Sequence, residues 1–314
     1  MFPVPTLHAR TRCLGCALIV CGLGSTGAHA AYYSTGTTSS SLSSFANGPN
    51  EQTGHNAATP GGSSAKSAVL SSSGKRVIEG GTHSTARAEP GGVHVVSEAN
   101  VRLHNPDYNL NLAVAASSTA NASFSDRLTI SAPGFAAGTS ARLTYRVSVS
   151  GDLGIEGLNS WNGGWNASSY WSFTASLGSS STFRSLQNDW TAGSDERLLG
   201  DGRFGNLDIT VPVTMGVSLP FALGGTALAS VSLGTTPYEP SSGQFSAVAN
   251  LGNTIGWGGV VLLTTAEGAP INSYSVFGDS GFDYRQAYVS AVPEPEPVSL
   301  FAGGLLTLLI LRRR

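Results

Sequence analysis

The chain has 314 residues, of which 11% are charged and 40 are glycine, and its formal net charge is −2. Between residues 31 and 292 stand 12 basic against 17 acidic side chains, an acidic balance that argues against nucleic acid or anionic lipid as partners of this part. A Gly-, Ser-, Thr- and Ala-rich composition with so few ions suits an extracellular β protein whose solvent face carries hydroxyls.

At the N-terminus, Arg10 and Arg12 precede an apolar stretch, 13–23, and Ala28-His29-Ala30 places small residues where a signal peptidase reads them. Residues 1–30 are therefore expected to be a cleaved signal peptide, with Ala28 and Ala30 marking the cut and Ala31 beginning the mature chain. Arg10-Thr11-Arg12 is not a twin-arginine signal. All three cysteines, Cys13, Cys16 and Cys21, lie inside this peptide, so the mature chain is expected to have no disulfide, thiolate metal site or cysteine nucleophile. Cys16 has Cys13 where a lipoprotein signal needs an aliphatic residue, and Cys21 follows Val20 rather than a small residue. Lipid attachment is not expected.

Residues 31–75 are low in complexity, dominated by Ser, Gly, Thr, Ala and Asn. With few large apolar side chains to bury, they are expected to form a flexible arm or loose surface ribbon. From residue 76 the pattern turns to period two. In 142–149, Arg142, Thr144, Arg146 and Ser148 alternate with Leu143, Tyr145, Val147 and Val149, which marks a strand with one wet face. Leu207, Ile209, Val211 and Val213 alternate in the same way, and Pro212 places that run at a sheet edge. Further strands are predicted at 93–97, 122–125, 128–131, 170–175, 217–223, 227–233, 244–250, 260–264 and 274–277. Turn signals separate them at Pro133-Gly134, Ser150-Gly151-Asp152, Gly224-Gly225, Gly252-Asn253 and Gly268-Ala269-Pro270. With no helical stripe and no fixed-period repeat, residues 76–291 are expected to be an all-β body, an antiparallel β-sandwich or jelly roll.

The last segment, 292–314, runs Val292-Pro293-Glu294-Pro295, then an apolar stretch 298–311, then Arg312, Arg313 and Arg314. Fourteen helical residues reach about 21 Å, short of the roughly 30 Å hydrocarbon core, so this single transmembrane helix needs its arginines to snorkel to the headgroups. Basic residues are retained on the cytoplasmic side, which sets the body outside. Gly303-Gly304 weakens the helix, and Pro293, Pro295 and Pro297 favour an extended segment open to a processing enzyme. This order of proline, apolar run and arginine cluster resembles the PEP-CTERM sorting signal of Gram-negative bacteria. The resemblance implies transient residence in the inner membrane, processing by an exosortase-like membrane transpeptidase, and delivery to the cell surface or exopolysaccharide matrix. The segments Ala122-Ser-Phe-Ser-Asp-Arg-Leu-Thr-Ile130, Phe245 to Ala249, Trp257-Gly258-Gly259-Val260 and Ser280-Gly281-Phe282-Asp283-Tyr284 are also similar to the β domain often found before this tail, which supports a fold more than an activity.

Chemistry-bearing residues in the body are sparse. Gly278-Asp279-Ser280-Gly281 resembles the nucleophile turn of chymotrypsin-like proteases, but His55, His83, His94 and His104 all precede residue 105 and none has the partner context, so a plain turn is expected. The Ser-x-x-Lys matches at Ser63 to Lys66 and Ser72 to Lys75 lie in the serine-rich arm, where chance supplies them. Asp195, Glu196, Asp201 and Asp208 among glycines could hold calcium, yet the spacing is not that of an EF-hand and Arg197 and Arg203 stand close by. No metal or other cofactor is expected, calcium being the one candidate. Trp161, Trp165, Tyr170 and Trp171, amid Asn159, Asn162 and Asn166, give the best hint of a ligand surface, because aromatic faces stack on sugar rings and amides bond their hydroxyls. The whole reads as a non-enzymatic exported protein, structural or adhesive. The alternatives are a carbohydrate-binding module using this aromatic loop or, from another class, a calcium-dependent glycan-active enzyme.

Overall fold

The computed structural model describes residues 33–46, 59–60, 63–71, 77–105, 112–157, 163–192, 197–200, 204–235 and 241–289. The expected signal peptide and sorting tail lie outside them. The described residues form fourteen strands: β1 Tyr33–Ala46, β2 Thr59–Pro60, β3 Ser63–Ser71, β4 Val77–Glu89, β5 Gly92–Asn105, β6 Leu112–Ser131, β7 Ser140–Gly157, β8 Gly164–Leu177, β9 Ser180–Thr191, β10 Arg197–Gly200, β11 Gly205–Thr214, β12 Ser218–Gly234, β13 Ser241–Thr265 and β14 Ser275–Gly278. The described chain is all-β, and no helix in it is long and apolar enough to cross a membrane.

The strands make two antiparallel sheets. One runs β10-β9-β8-β12-β6-β1-β2, with β14 pairing the end of β6, and the other runs β11-β7-β13-β5-β4-β3. They pack face to face in a sandwich-like arrangement, because period-two alternation gives each sheet one apolar face and those faces have only each other to meet. Leu143, Tyr145, Val147 and Val149 of β7 point inward as expected, opposite Phe124, Trp171 and Phe221 of the other sheet. Pro212 lies in β11, and β11 is an edge strand, as its missing N–H requires.

Two expectations need correcting. The low-complexity segment 31–75 supplies strands: β1 pairs with β6 along its whole length, and β3 pairs with β4. Its inward residues Gly36, Thr38, Ser40 and Leu42 are buried although they offer little apolar surface. Backbone pairing to a long neighbour, with β4 closely packed beneath, replaces the side-chain burial that the composition lacks. Second, several glycine signals are not turns. The 122–125 and 128–131 segments belong to one continuous β6, 244–250 and 260–264 to one continuous β13, and Gly224-Gly225 and Gly151 lie inside β12 and β7. Gly225 faces inward, where a Cβ would sit 2.7 Å from the Ile255 Cδ1, and a Cβ on Gly151 would strike the Asn250 carbonyl. These glycines let two layers or two strands come together; they do not reverse the chain.

At the centre, the ring of Tyr145 stacks on Trp257 with centroids 4.9 Å apart and planes 8° from parallel. Its hydroxyl is buried without a partner, and burial pushes the phenol up to about 12. A tyrosine whose folded value lies above the unfolded value of about 10 contributes its full share below pH 10 and loses it as pH rises through 12. Tyr145→Phe is therefore expected to stabilise the protein by about 1 kcal/mol at neutral pH and to widen its margin in alkali, as read from urea midpoints at pH 7 and above pH 10. A loss of stability at pH 7 would show that the hydroxyl has a partner.

Candidate functional site

The densest polar arrangement in the described chain is a clasp that fastens the segment after β14 to both sheets. Asp126 sits at an inward position of β6 and is 5% exposed. Its Oδ1 accepts the backbone N–H of Arg127 at 2.7 Å and of Ser280 at 3.2 Å. Its Oδ2 accepts the Ser280 hydroxyl at 2.6 Å and the Tyr284 hydroxyl at 2.8 Å. Four donors answer the requirement that a buried carboxylate be bonded on both oxygens. Burial first, and then the bond to Asp126, push the Tyr284 phenol well above its ordinary value, so it stays a donor.

Beyond Tyr284 the chain remains fixed. The Trp257 indole N–H donates to the Tyr284 carbonyl at 2.6 Å, and the Tyr288 N–H donates to the Trp257 carbonyl at 2.7 Å. The Tyr288 hydroxyl then donates to Glu89, whose carboxylate also meets His94 Nε2 at 3.1 Å and Arg87 at 2.7 Å. Burial raises the Glu89 carboxyl, but the Tyr288 bond, the Arg87 charge and the His94 contact outweigh it and hold it below its ordinary value. Thus residues 275–288 are bonded in turn to β6, β13 and the end of β4.

The expected turn at Gly278-Asp279-Ser280-Gly281 is present, and Gly281 takes a positive φ of 81°. Ser280 spends its hydroxyl proton on Asp126, and the ring nitrogen of His94 is engaged with Glu89 and Tyr288. The serine is a lock on the turn.

The aromatic residues do not form one loop. Trp161 lies outside the described residues. Trp165, Tyr170 and Trp171 are all on β8, where alternation sends Trp165 and Trp171 inward and Tyr170 outward. Trp171 is fully buried, near Phe173 and Phe204, so the expectation that it meets a ligand gives way to a core role. Tyr170 points outward, half-buried. Trp165 is half-buried at one end of the sheet pair, stacked on Phe245 at 4.6 Å and edge-on to Trp190 at 4.8 Å. Trp190, which no local pattern marks, stands 25 residues from Trp165 and is brought beside it by the β8–β9 hairpin.

Of the four carboxylates considered for calcium, Asp195, Glu196 and Asp201 lie outside the described residues. Asp208 is on β11, opposite Arg146 of β7, which donates to both its oxygens at 2.7 and 2.9 Å. These bonds hold the Asp208 carboxyl below its ordinary value. Among the described residues, no three His, Cys, Asp or Glu side chains are grouped to hold a metal.

No protein-family model matches the chain, and neither the curated proteins nor the solved structures contain a match.

Proposed function

We propose that the chain is an exported protein of a Gram-negative cell surface or exopolysaccharide matrix, sorted by an exosortase-like transpeptidase, with a body that is structural or adhesive. The observation that carries this reading is the order Val292-Pro293-Glu294-Pro295, apolar 298–311, Arg312-Arg313-Arg314, which makes physical sense as a marginal membrane segment with a charged stop. The clasp supports it. Tyr288 is bonded into the body, so Val289 to Val292 are the only residues between the fixed chain and Pro293, a reach of at most about 14 Å. A body fastened so close to its tail is presented to a membrane enzyme as a finished unit on a short lead.

End-group masses of the protein recovered from its host test this. The mature chain is expected to begin at Ala31 and to lack the arginine triplet; a tail retaining Arg314 would reduce the segment to a plain anchor. The half-buried pair Trp165 and Trp190 favours a second reading, a carbohydrate-binding body whose ring platform lies at that end of the sheets.

A further inference from the structure

The two outer faces of the body differ in kind. On the six-stranded sheet, outward positions carry ions: Glu79 faces Arg102 at 3.6 Å, Arg146 faces Asp208, and Arg87 and His94 surround Glu89. On the eight-stranded sheet the outward positions of β1, β6, β12, β8 and β9 form cross-strand rows of short uncharged side chains. One such row is Thr37, Asn121, Thr226, Ser172 and Ser185. Among the described residues of these five strands, the ionic side chains on that face are Arg127 and Asp189. Arg127 lies at the clasp end, with its Nε donating to Ser218 at 3.0 Å. Asp189 lies near the far edge, bonded by Gln187 through both oxygens and opposite Arg197 in the register.

Between those margins some of the short polar side chains are bonded to one another across the strands. Thr35 pairs with Ser123 at 2.7 Å, and Thr226 donates to Asn121 at 2.9 Å. Rows repeat about 4.8 Å apart across the strands and about 6.8 Å along them. Tyr170 and Phe183, the latter 54% exposed, add two rings to the same face. An acidic protein would gain solubility from ions here, and it places them on the other sheet.

We propose that this face docks an uncharged polysaccharide. The assignment rests on the adhesive reading given above and names its ligand class and its surface. An array of short strand-borne hydroxyls and amides offers donors and acceptors to sugar hydroxyls at little ordering cost. The rings supply faces for C–H stacking. With its ions confined to Arg127 and Asp189 at the margins, the face leaves no charge unpaired beneath a neutral polymer across its middle and offers an acidic polymer little to pair with.

The test is depletion of the purified full-length mature protein by microcrystalline cellulose and cross-linked dextran as neutral polymers and by alginate beads as the acidic one. Retention on a neutral polymer, undiminished by salt, is expected. Asn121→Asp changes one atom type in the middle of the face and is expected to weaken retention about ten-fold, the equivalent of 1.4 kcal/mol. Asn100→Asp, on the opposite outer face, is expected to bind like the parent protein. Circular dichroism of each variant separates lost docking from lost fold, and Thr226→Glu repeats the test at the neighbouring strand. The proposal is overturned by retention on alginate alone, by no retention on either neutral polymer, or by folded Asn121→Asp and Thr226→Glu proteins that bind normally. It is equally overturned if Trp165→Ala alone abolishes binding, or if sedimentation shows that the face joins two copies of the chain. End-group masses report tail processing separately, so a failure here leaves the sorting reading standing.

Discussion

Asp126→Ala is expected to destabilise the body by about 3–5 kcal/mol, a large part of the 5–15 kcal/mol that holds a domain together. The carboxylate gathers two backbone N–H groups and the hydroxyls of Ser280 and Tyr284. Tyr284 is fully enclosed. Truncating the acceptor leaves its hydroxyl buried with no partner, so the cost includes desolvation of the orphaned donors as well as the lost bonds. Ser280→Ala removes one donor that lies nearer the surface and is expected to cost about 1–1.5 kcal/mol. Asp126→Asn keeps an acceptor oxygen and should fall between the two. Urea midpoints give the three values. Limited proteolysis adds the location: in Asp126→Ala, cleavage should begin within residues 279–289, because those residues lose their side-chain anchor on β6 while β14 and the other strands stay paired. An Asp126→Ala protein with the parent midpoint and the parent cleavage pattern would mean that Tyr288 and Trp257 hold the segment without it.

This clasp explains what could and could not be read from the residues alone. Period-two alternation is local, so β7, β11 and the halves of β12 and β13 are visible in the sequence, and Pro212 marks its own edge. Strand pairing is not local. Nothing in Tyr33–Ala46 tells that it will lie along β6, because its small inward residues acquire their place only when β4 is packed beneath them. Glycine is ambiguous for the same reason: Gly134 and Gly268 serve turns, whereas Gly151 and Gly225 serve close approach, and the neighbour that decides is far away in the chain. The candidate site divides along the same line. Trp165, Tyr170 and Trp171 are conspicuous in sequence, but alternation on β8 turns Tyr170 outward and both tryptophans inward, Trp165 at the end of the sheets and Trp171 in the core. Asp126 and Ser280 are 154 residues apart, and each alone reads as a surface polar residue. Both lie in segments that are similar to the β domain found before such tails, and the hydrogen bonds between them join those segments in the fold.

Trp257→Ala is expected to cost about 4–5 kcal/mol, at the upper end for a large-to-small change in a packed core. The indole is fully buried and is in contact with both sheets and the clasp at once. It stacks on Tyr145 of β7, meets Phe221 of β12 edge-on at 5.1 Å and stands perpendicular to Tyr284 at 5.2 Å. Its N–H satisfies the Tyr284 carbonyl, and its own backbone is bonded to Gly91 and Tyr288. Alanine would leave a cavity between rings fixed by two strands of opposite sheets and by the clasp, which cannot close around it without shifting the strands. Trp257→Phe keeps most of the stacking and loses the N–H bond, so a smaller cost of about 1–2 kcal/mol is expected. Because Tyr284 is shared, the effects of Trp257→Ala and Asp126→Ala should not add. Once either is gone, Tyr284 is already loosened, and the double variant is expected to be more stable than the sum predicts by about 1–2 kcal/mol. Urea denaturation of the two single variants and the double variant measures this coupling. A strictly additive cycle would show that the clasp and the central ring cluster are independent, and that residues 275–288 are fastened at Asp126 and Glu89 but not through the core.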